Sequence, residues 1–480
     1  MFWVLVSTAA VLYSLYTWMT MKPKNFPPGP PYLPIIGSIP FIPRKHFYLS
    51  MDTLRKKYGP VVGLFTPDKA ISVADPSTVL EVLRREEFQG RPDSLLLRER
   101  NFNKRLGIMF NDGPDWVEQR RFTLRHLKEF GFGKTSMERL VIEEIQELEK
   151  ELENKTLQVS GLFNPSVINV LWSMMGGTRY KRDDPVLQNL LKTLTELFRS
   201  GVFLRFTDVF PFLLDFIPSI VDPEGTRHLD QFQEFMKKVI DQHEQASDEM
   251  EPTDFIGVYL KEMKKQSGGR SSFSDNMLIS ICLDLFSAGG ESVGNTLGFA
   301  TLYMALYPEV QEKVQKEIDR HLGRNQIPTL QDRSSLPYTE AVIMEIQRSN
   351  SIAPVAVPHR VTRDTELRGY FIPKNTLVFV SLWSLLQDES HWEDVNSFRP
   401  ERFLDESGNI IKSEWFIPFG LGKRVCSGEA FARNTLFLFF TALMQKFTVT
   451  VPLGKSKPDT FPLSGFTTAP KPFEVTFTTR

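Results

Sequence analysis

The sequence predicts a mainly α-helical fold with small β-sheets, and three observations carry that expectation. Long stretches keep apolar residues at helical spacing; strand-like runs are few and short; and 480 residues, 41% of them hydrophobic, can bury a large core. A formal net charge of -1 gives no reason to expect nucleic acid as a partner. Two cysteines, Cys282 and Cys426, cannot build a disulfide framework, and no paired zinc-ligand spacing occurs, so a reducing compartment is the simpler expectation.

In chain order, residues 1–21 (MFWVLVSTAAVLYSLYTWMTM) carry no charge, and as a helix they would extend about 30 Å, enough to cross a bilayer core. A cleaved signal peptide would begin with basic residues and have a shorter apolar stretch, so this segment is expected to be a transmembrane anchor. Lys22 and Lys24 follow directly and place the body on the cytoplasmic side. Residues 22–43 form a basic and Pro-rich hinge, stiffened by prolines that fix φ and remove donors. Residues 44–480 are expected to form one large domain, since the candidate chemistry lies in the C-terminal half except that near Trp116.

Within that domain, helical periodicity runs over 138–153, 229–246 and 277–307, the last stopped by Pro308. Strand signals are VVGLF from Val61, AISVA from Ala70, NTLVFVSL from Asn375, FTVTV from Phe447 and EVTFTT from Glu474, enough for a small accessory sheet. Residues 197–222, rich in phenylalanine and broken by Pro211 and Pro218, read as a helix, loop and helix lid that also meets the membrane surface. KKQSGGRSSFS, from Lys264, is a flexible linker before the most hydrophobic helix.

A metal-bound thiolate needs donors toward sulfur, a backbone that can approach a flat cofactor, and compensation of the cofactor's charge. Residues 419–428, FGLGKRVCSG, supply all three. Gly420 and Gly422 permit turns closed to other residues, and Gly428 removes a side chain where a planar ring would pack. A helix from about Ser427 would present its positive end to the Cys426 sulfur, and Arg424 would neutralise a cofactor carboxylate. Cys282, on an apolar helix, reads as inert core.

The pattern F-x-x-G-x-R-x-C-x-G, at Phe419, Gly422, Arg424, Cys426 and Gly428, resembles the haem-binding loop of cytochromes P450. The Pro-Pro-Gly-Pro hinge and FGFGK after the Trp116 helix resemble the microsomal family-2-like enzymes of animals. The resemblance covers the chain from the anchor onward and implies the cytochrome P450 fold, a single large haem domain behind an N-terminal membrane anchor. It further implies haem b (iron protoporphyrin IX) with Cys426 as axial thiolate and metal ligand, and dioxygen as cosubstrate. NADPH would serve indirectly, through a reductase.

By the same resemblance, Glu345 and Arg348 of EIQR and Arg402 of FRPERF form a structural ion network behind the loop. Trp116 and Arg120 of WVEQRR reach a haem propionate, as do His359 and Arg91. AGGES, from Ala288, is the distal-helix motif, with Glu291 as acid and Ser292 as alcohol where most relatives carry threonine. The paired glycines leave room over the ring and favour a local opening of the helix. Thr296, one turn on, is a substitute hydroxyl.

No Gly-rich dinucleotide fingerprint is present, so electrons must come from another protein. Arg120, Arg121, Arg125, Lys128 and Lys423 form a basic patch suited to NADPH-cytochrome P450 reductase, with cytochrome b5 as a second partner. Pocket walls are expected from residues 95–109, Phe286, Ala288, 352–357 and 464–467, mostly apolar, for a lipophilic small molecule; membrane lipid is the other contact. The resulting expectation is a monooxygenase of the endoplasmic reticulum membrane that hydroxylates or epoxidises. The alternatives are an oxygen-independent isomerase or dehydratase, and a haem sensor or carrier without turnover.

Overall fold

The computed structural model describes residues 23–480 apart from 34–35, 44, 66–68, 95–96, 99, 200–222, 246–250 and 267–270. The expected anchor over 1–21, the lid beyond residue 199 and the middle of the 264–274 linker lie outside the described residues.

The longer helices are α1 (Phe47–Tyr58), α2 (Pro76–Arg84), α3 (Pro114–Glu129), α4 (Glu138–Leu152), α5 (Asn164–Gly176), α6 (Pro185–Arg199), α7 (Pro223–Gln245), α8 (Phe255–Lys265), α9 (Asp275–Leu306), α10 (Pro308–His321), α11 (Pro337–Ser349) and α12 (Glu429–Lys446). The strands are β1 (Val61–Phe65), β2 (Lys69–Val73), β3 (Lys155–Gln158), β4 (His359–Arg360), β5 (Thr365–Leu367), β6 (Tyr370–Ile372), β7 (Leu377–Val380), β8 (Phe447–Thr450) and β9 (Glu474–Thr479).

The described strands make three small sheets, in keeping with the expected fold class. These are β1-β2-β7-β4, β3-β9-β8 and the β5-β6 pair, with β2 and β7 parallel and the other pairings antiparallel. The strands that periodicity misses, β3 to β6, have two to four residues, too few to show alternation. Proline sets several boundaries, since it lacks the N–H that an interior helical position donates; Pro308 closes α9 and opens α10.

The core is built around α9, whose start is capped by Ser274 Oγ accepting the Met277 N–H at 3.2 Å. Its length and apolarity would suit a membrane span, but most of it is buried inside the protein. The glycines of α9 have a packing role that the sequence reading did not include. A Cβ on Gly289 would lie 2.7 Å from Leu171 Cδ2, one on Gly290 2.6 Å from Ile168 Cδ1, and one on Gly294 1.9 Å from Asn164 Oδ1. All three neighbours belong to α5, so the glycines let two helices approach closely. The helix runs unbroken through 288–292, without the expected opening.

Candidate active site

The Cys426 loop is shaped by backbone before side chains. Gly420 and Gly422 have φ of +75° and +76°, values that cost other residues strain. The Cys426 N–H then closes the loop on the Phe419 carbonyl at 3.0 Å. Helix α12 begins at Glu429 with Gly428 at its N-cap, later than the expected start near Ser427, and the Gly428 N–H points at the sulfur. Burial and Glu429 raise the thiol above its ordinary value, outweighing that N–H and the Arg120 charge. The helix end alone therefore does not hold a thiolate; a coordinating metal would deprotonate the sulfur outright.

Gly422 does not line the cavity and serves the loop's docking: a Cβ there would sit 2.2 Å from the Leu83 carbonyl oxygen of α2. Gly422→Ala is expected to cost at least about 2 kcal/mol, from positive φ and a backbone clash together. Thermal unfolding of the variant measures this; an unchanged midpoint would contradict it.

Cys426 opens into a cavity of about 270 Å³, which Phe419, Arg424 and Gly428 also line. Helix α9 contributes Ala288, Gly289, Ser292 and Thr296, and Ile108, Ile352, Val357 and Phe466 belong to segments expected as walls. Phe286 is a correction: it faces the core, with its ring 5.0 Å from Trp172 and 5.8 Å from Phe232.

Arg91, Arg120, Arg424 and His359 reach the same cavity. Arg91 is held by the carbonyls of Met109, Val357 and Pro358 at 2.7–3.0 Å, Arg120 by Val425 at 2.8 Å, and Arg424 by Gln89 and Asn111 at 2.9 and 3.0 Å. Burial pulls all three guanidiniums below their ordinary value, Arg91 far below and Arg424 to about 10. Arginine does not give up its proton in proteins, so the cluster calls for anions. Among the described residues no three His, Cys, Asp or Glu side chains gather as a metal cage would need. Together, one accessible thiol, three guanidiniums of which Arg91 is buried and Arg120 and Arg424 half-buried, and apolar walls fit an iron porphyrin that brings its own nitrogen ligands and two carboxylates.

Two expected propionate ligands behave differently. The Trp116 indole N–H is already given to the Ile108 carbonyl at 2.9 Å, and its ring carries Arg424 at 3.6 Å. Trp116 therefore orients an arginine and does not line the cavity. His359 gives Nδ1 to the Phe88 carbonyl at 2.7 Å, and burial and Arg91 push its value well down, which leaves a neutral ring with Nε2 as acceptor. It would serve a carboxylate only after protonation, which a nearby anion favours.

The distal pair divides in direction. Ser292 lines the cavity and donates to the Ala288 carbonyl at 2.7 Å; Thr296 lines it too and donates to the Ser292 carbonyl at 2.8 Å. Glu291 is turned away from the cavity. It accepts from Thr195 of α6 through one oxygen and from Asn295 at 3.0 Å through the other.

Behind the loop, Glu345 pairs with Arg348 at 2.7 and 2.9 Å, both buried, and at 3.1 Å with Arg402, whose side chain is almost covered. Arg120 leaves the outer basic face, being turned inward; Arg121, Arg125, Lys128 and Lys423 remain exposed.

Sequence reasoning missed Asp284, which lines the cavity, accepts the Ile108 and Met109 N–H groups at 2.7 and 2.9 Å, and pairs with Arg100 at 2.7 Å. An acid within a helical apolar run is a visible signal, but its partners lie over 170 residues away.

The family model described as Cytochrome P450 matches residues 27–477. Farnesoate epoxidase of Bombyx mori is 36% identical over 469 residues, covering 95% of this chain and 94% of that protein. Cytochrome P450 2J2 of Homo sapiens is 39% identical over 93% of this chain and 90% of its own, and cytochrome P450 2C11 of Rattus norvegicus 37% over 99% and 96%. With the thiol, the guanidiniums and the ion network in their places, these matches make the chain a member of the cytochrome P450 family, a haem-thiolate monooxygenase that uses iron and dioxygen.

Proposed function

We propose that the protein inserts one atom of dioxygen into a lipophilic substrate, by hydroxylation or epoxidation, with electrons from NADPH passed on by a flavoprotein reductase. The observation that carries this reading is one cavity holding the Cys426 thiol, the Ser292 and Thr296 hydroxyls and apolar walls. The haem, when bound, supplies dioxygen activation, one atom entering the substrate and the other leaving as water. Cys426 would hold the iron through its sulfur, and Arg91, Arg120 and Arg424 would hold the propionates. Ser292 Oγ releases the Ala288 carbonyl and gives its proton into the cavity. Glu291, after a rotamer change that frees it from Thr195 and Asn295, takes a proton from solvent and passes it to Ser292 Oγ, restoring the hydroxyl.

The apolar walls exclude water and orient a hydrocarbon body. The silkworm relative's name makes a terpenoid carboxylate such as farnesoate a reasonable first compound to assay, beside steroids and fatty acids. Arg121, Arg125, Lys128 and Lys423 form the docking face for the reductase, and cytochrome b5 would use the same charge. Residues 1–21 anchor the enzyme in the endoplasmic reticulum membrane, with domain 44–480 on the cytoplasmic side.

The test is reconstitution with reductase, NADPH and isotopically labelled dioxygen over that panel. One labelled oxygen per product supports the reading. Conversion without NADPH favours an isomerase or dehydratase, and haem binding without turnover favours a sensor. Ser292→Ala is expected to lower product formed per NADPH by about tenfold, with peroxide rising. That is less than a general acid's full contribution, because Thr296 offers a second hydroxyl. An unchanged yield would remove Ser292 from the proton path.

A further inference from the structure

We propose that Asp112 tunes the charge at the propionate edge of the haem site, and through it the reduction potential of the iron, by clasping Arg91, Arg105 and Arg360. The inference rests on the haem-thiolate reading of this cavity. Asp112 Oδ2 accepts the Arg91 backbone N–H and Arg360 Nη2, each at 2.7 Å, and Oδ1 accepts Arg105 Nη2 at 2.6 Å. Arg360 in turn donates through Nε to the Arg91 carbonyl at 2.8 Å and through its backbone N–H to the Gly90 carbonyl at 2.8 Å.

One carboxylate therefore joins the backbone at 90–91, the segment carrying Arg105, and β4. The segments it joins also aim Arg91, whose side chain is held by Met109, Val357 and Pro358. The clasp is tightly fitted. A Cβ on Gly90 would lie 2.7 Å from the Arg360 carbonyl oxygen and 3.3 Å from Asp112 Oδ2, so the chain narrows to glycine where the strands meet.

Charge is what the clasp controls. Arg91, Arg120 and Arg424 line the cavity, and Arg105 and Arg360 stand behind them on Asp112. Asp284, a carboxylate that does line the cavity, is taken by Arg100 and by backbone N–H groups. Among these five guanidiniums Asp112 is the carboxylate in direct contact with Arg105 and Arg360 and with the Arg91 N–H, while Asp93 acts on Arg105 and Arg360 from further off. Two propionates would still leave the group net positive, and positive charge near the iron favours its reduced form. Burial opposes the ionisation of Asp112, but the Arg91 N–H, Arg360 and the Arg105 charge overcome it and hold its pKa below the ordinary value. The charge is present at neutral pH.

The experiment is a redox titration of the haem-loaded full chain, in which ferric iron takes one electron from the titrant, for Asp112→Asn, Arg360→Gln and the double variant. Asn keeps the shape and an acceptor for Arg91 while removing one negative charge. The midpoint is expected to move positive in Asp112→Asn, negative in Arg360→Gln, and back toward the parent in the double variant. If Asp112→Asn does not retain haem, Arg360→Gln alone still tests the sign. Unmoved midpoints in folded, thiolate-ligated proteins would overturn the tuning role while leaving the haem reading intact. So would shifts of one sign in both single variants, the mark of a structural role. A parent chain that binds no haem would overturn both.

Discussion

Cys426→Ala is expected to reduce product formation by at least about a thousandfold and to remove the thiolate signature from the spectrum of the carbon monoxide complex, while the chain stays folded. The loop's closure is a backbone hydrogen bond, Cys426 N–H to the Phe419 carbonyl, so alanine keeps it. The glycine turns at 420 and 422 precede the substitution and are untouched. Cys282 offers no replacement, because it lies fully buried on α9 and burial raises its thiol far above the ordinary value. The Cys426 thiol is accessible from the cavity that the guanidiniums line, which is where a porphyrin iron would need its axial ligand. The checks are the spectrum of the reduced carbon monoxide complex, turnover with reductase and thermal unfolding. A variant that keeps the thiolate spectrum would mean that the iron is held elsewhere.

The sequence makes legible what is local. Glycines that need positive φ, a cysteine shortly before a helix and an acid and a base three residues apart all lie within a few positions of one another, and the structure places them together. What depends on distant partners is less visible. The glycines of α9 suggest space over a ring when only their own helix is considered; their Cβ directions lead to Leu171, Ile168 and Asn164 of another helix. Glu291 and Ser292 are adjacent in sequence yet face differently, because about 100° separates neighbours on a helix and Thr195 of α6 is there to receive the acid. Phe286 joins an aromatic cluster with Trp172 and Phe232 instead of the pocket. Asp112 sits in an Asn-Asp-Gly sequence that reads as an ordinary turn, and two of its three partners are 21 and 248 residues away.

Glu345→Gln is expected to destabilise the fold by about 3–5 kcal/mol, a large part of a domain's usual 5–15 kcal/mol. Glu345 and Arg348 are fully buried, and the Arg402 side chain is 4% exposed, so water cannot replace the lost charge. The arginines' remaining donors are already committed to carbonyls: Leu386 and Val395 for Arg348, and Asp394 and Ser397 for Arg402. Glu345 also accepts the Arg399 N–H at 3.0 Å. Glutamine would turn donors toward one guanidinium and leave two buried positive charges without an anion. The strain would reach the thiolate loop through packing, since Val395, Phe403 and Phe416 belong to one apolar cluster on which Trp415 also packs, just before residue 419. Haem content per chain should therefore fall along with the unfolding free energy. Removing the cation as well, in Glu345→Gln with Arg348→Met, should cost less than the two single changes added, by at least about 1 kcal/mol, because the pair's attraction is then lost only once. Strictly additive costs would show that the Glu345–Arg348 contact contributes nothing beyond the burial of its members.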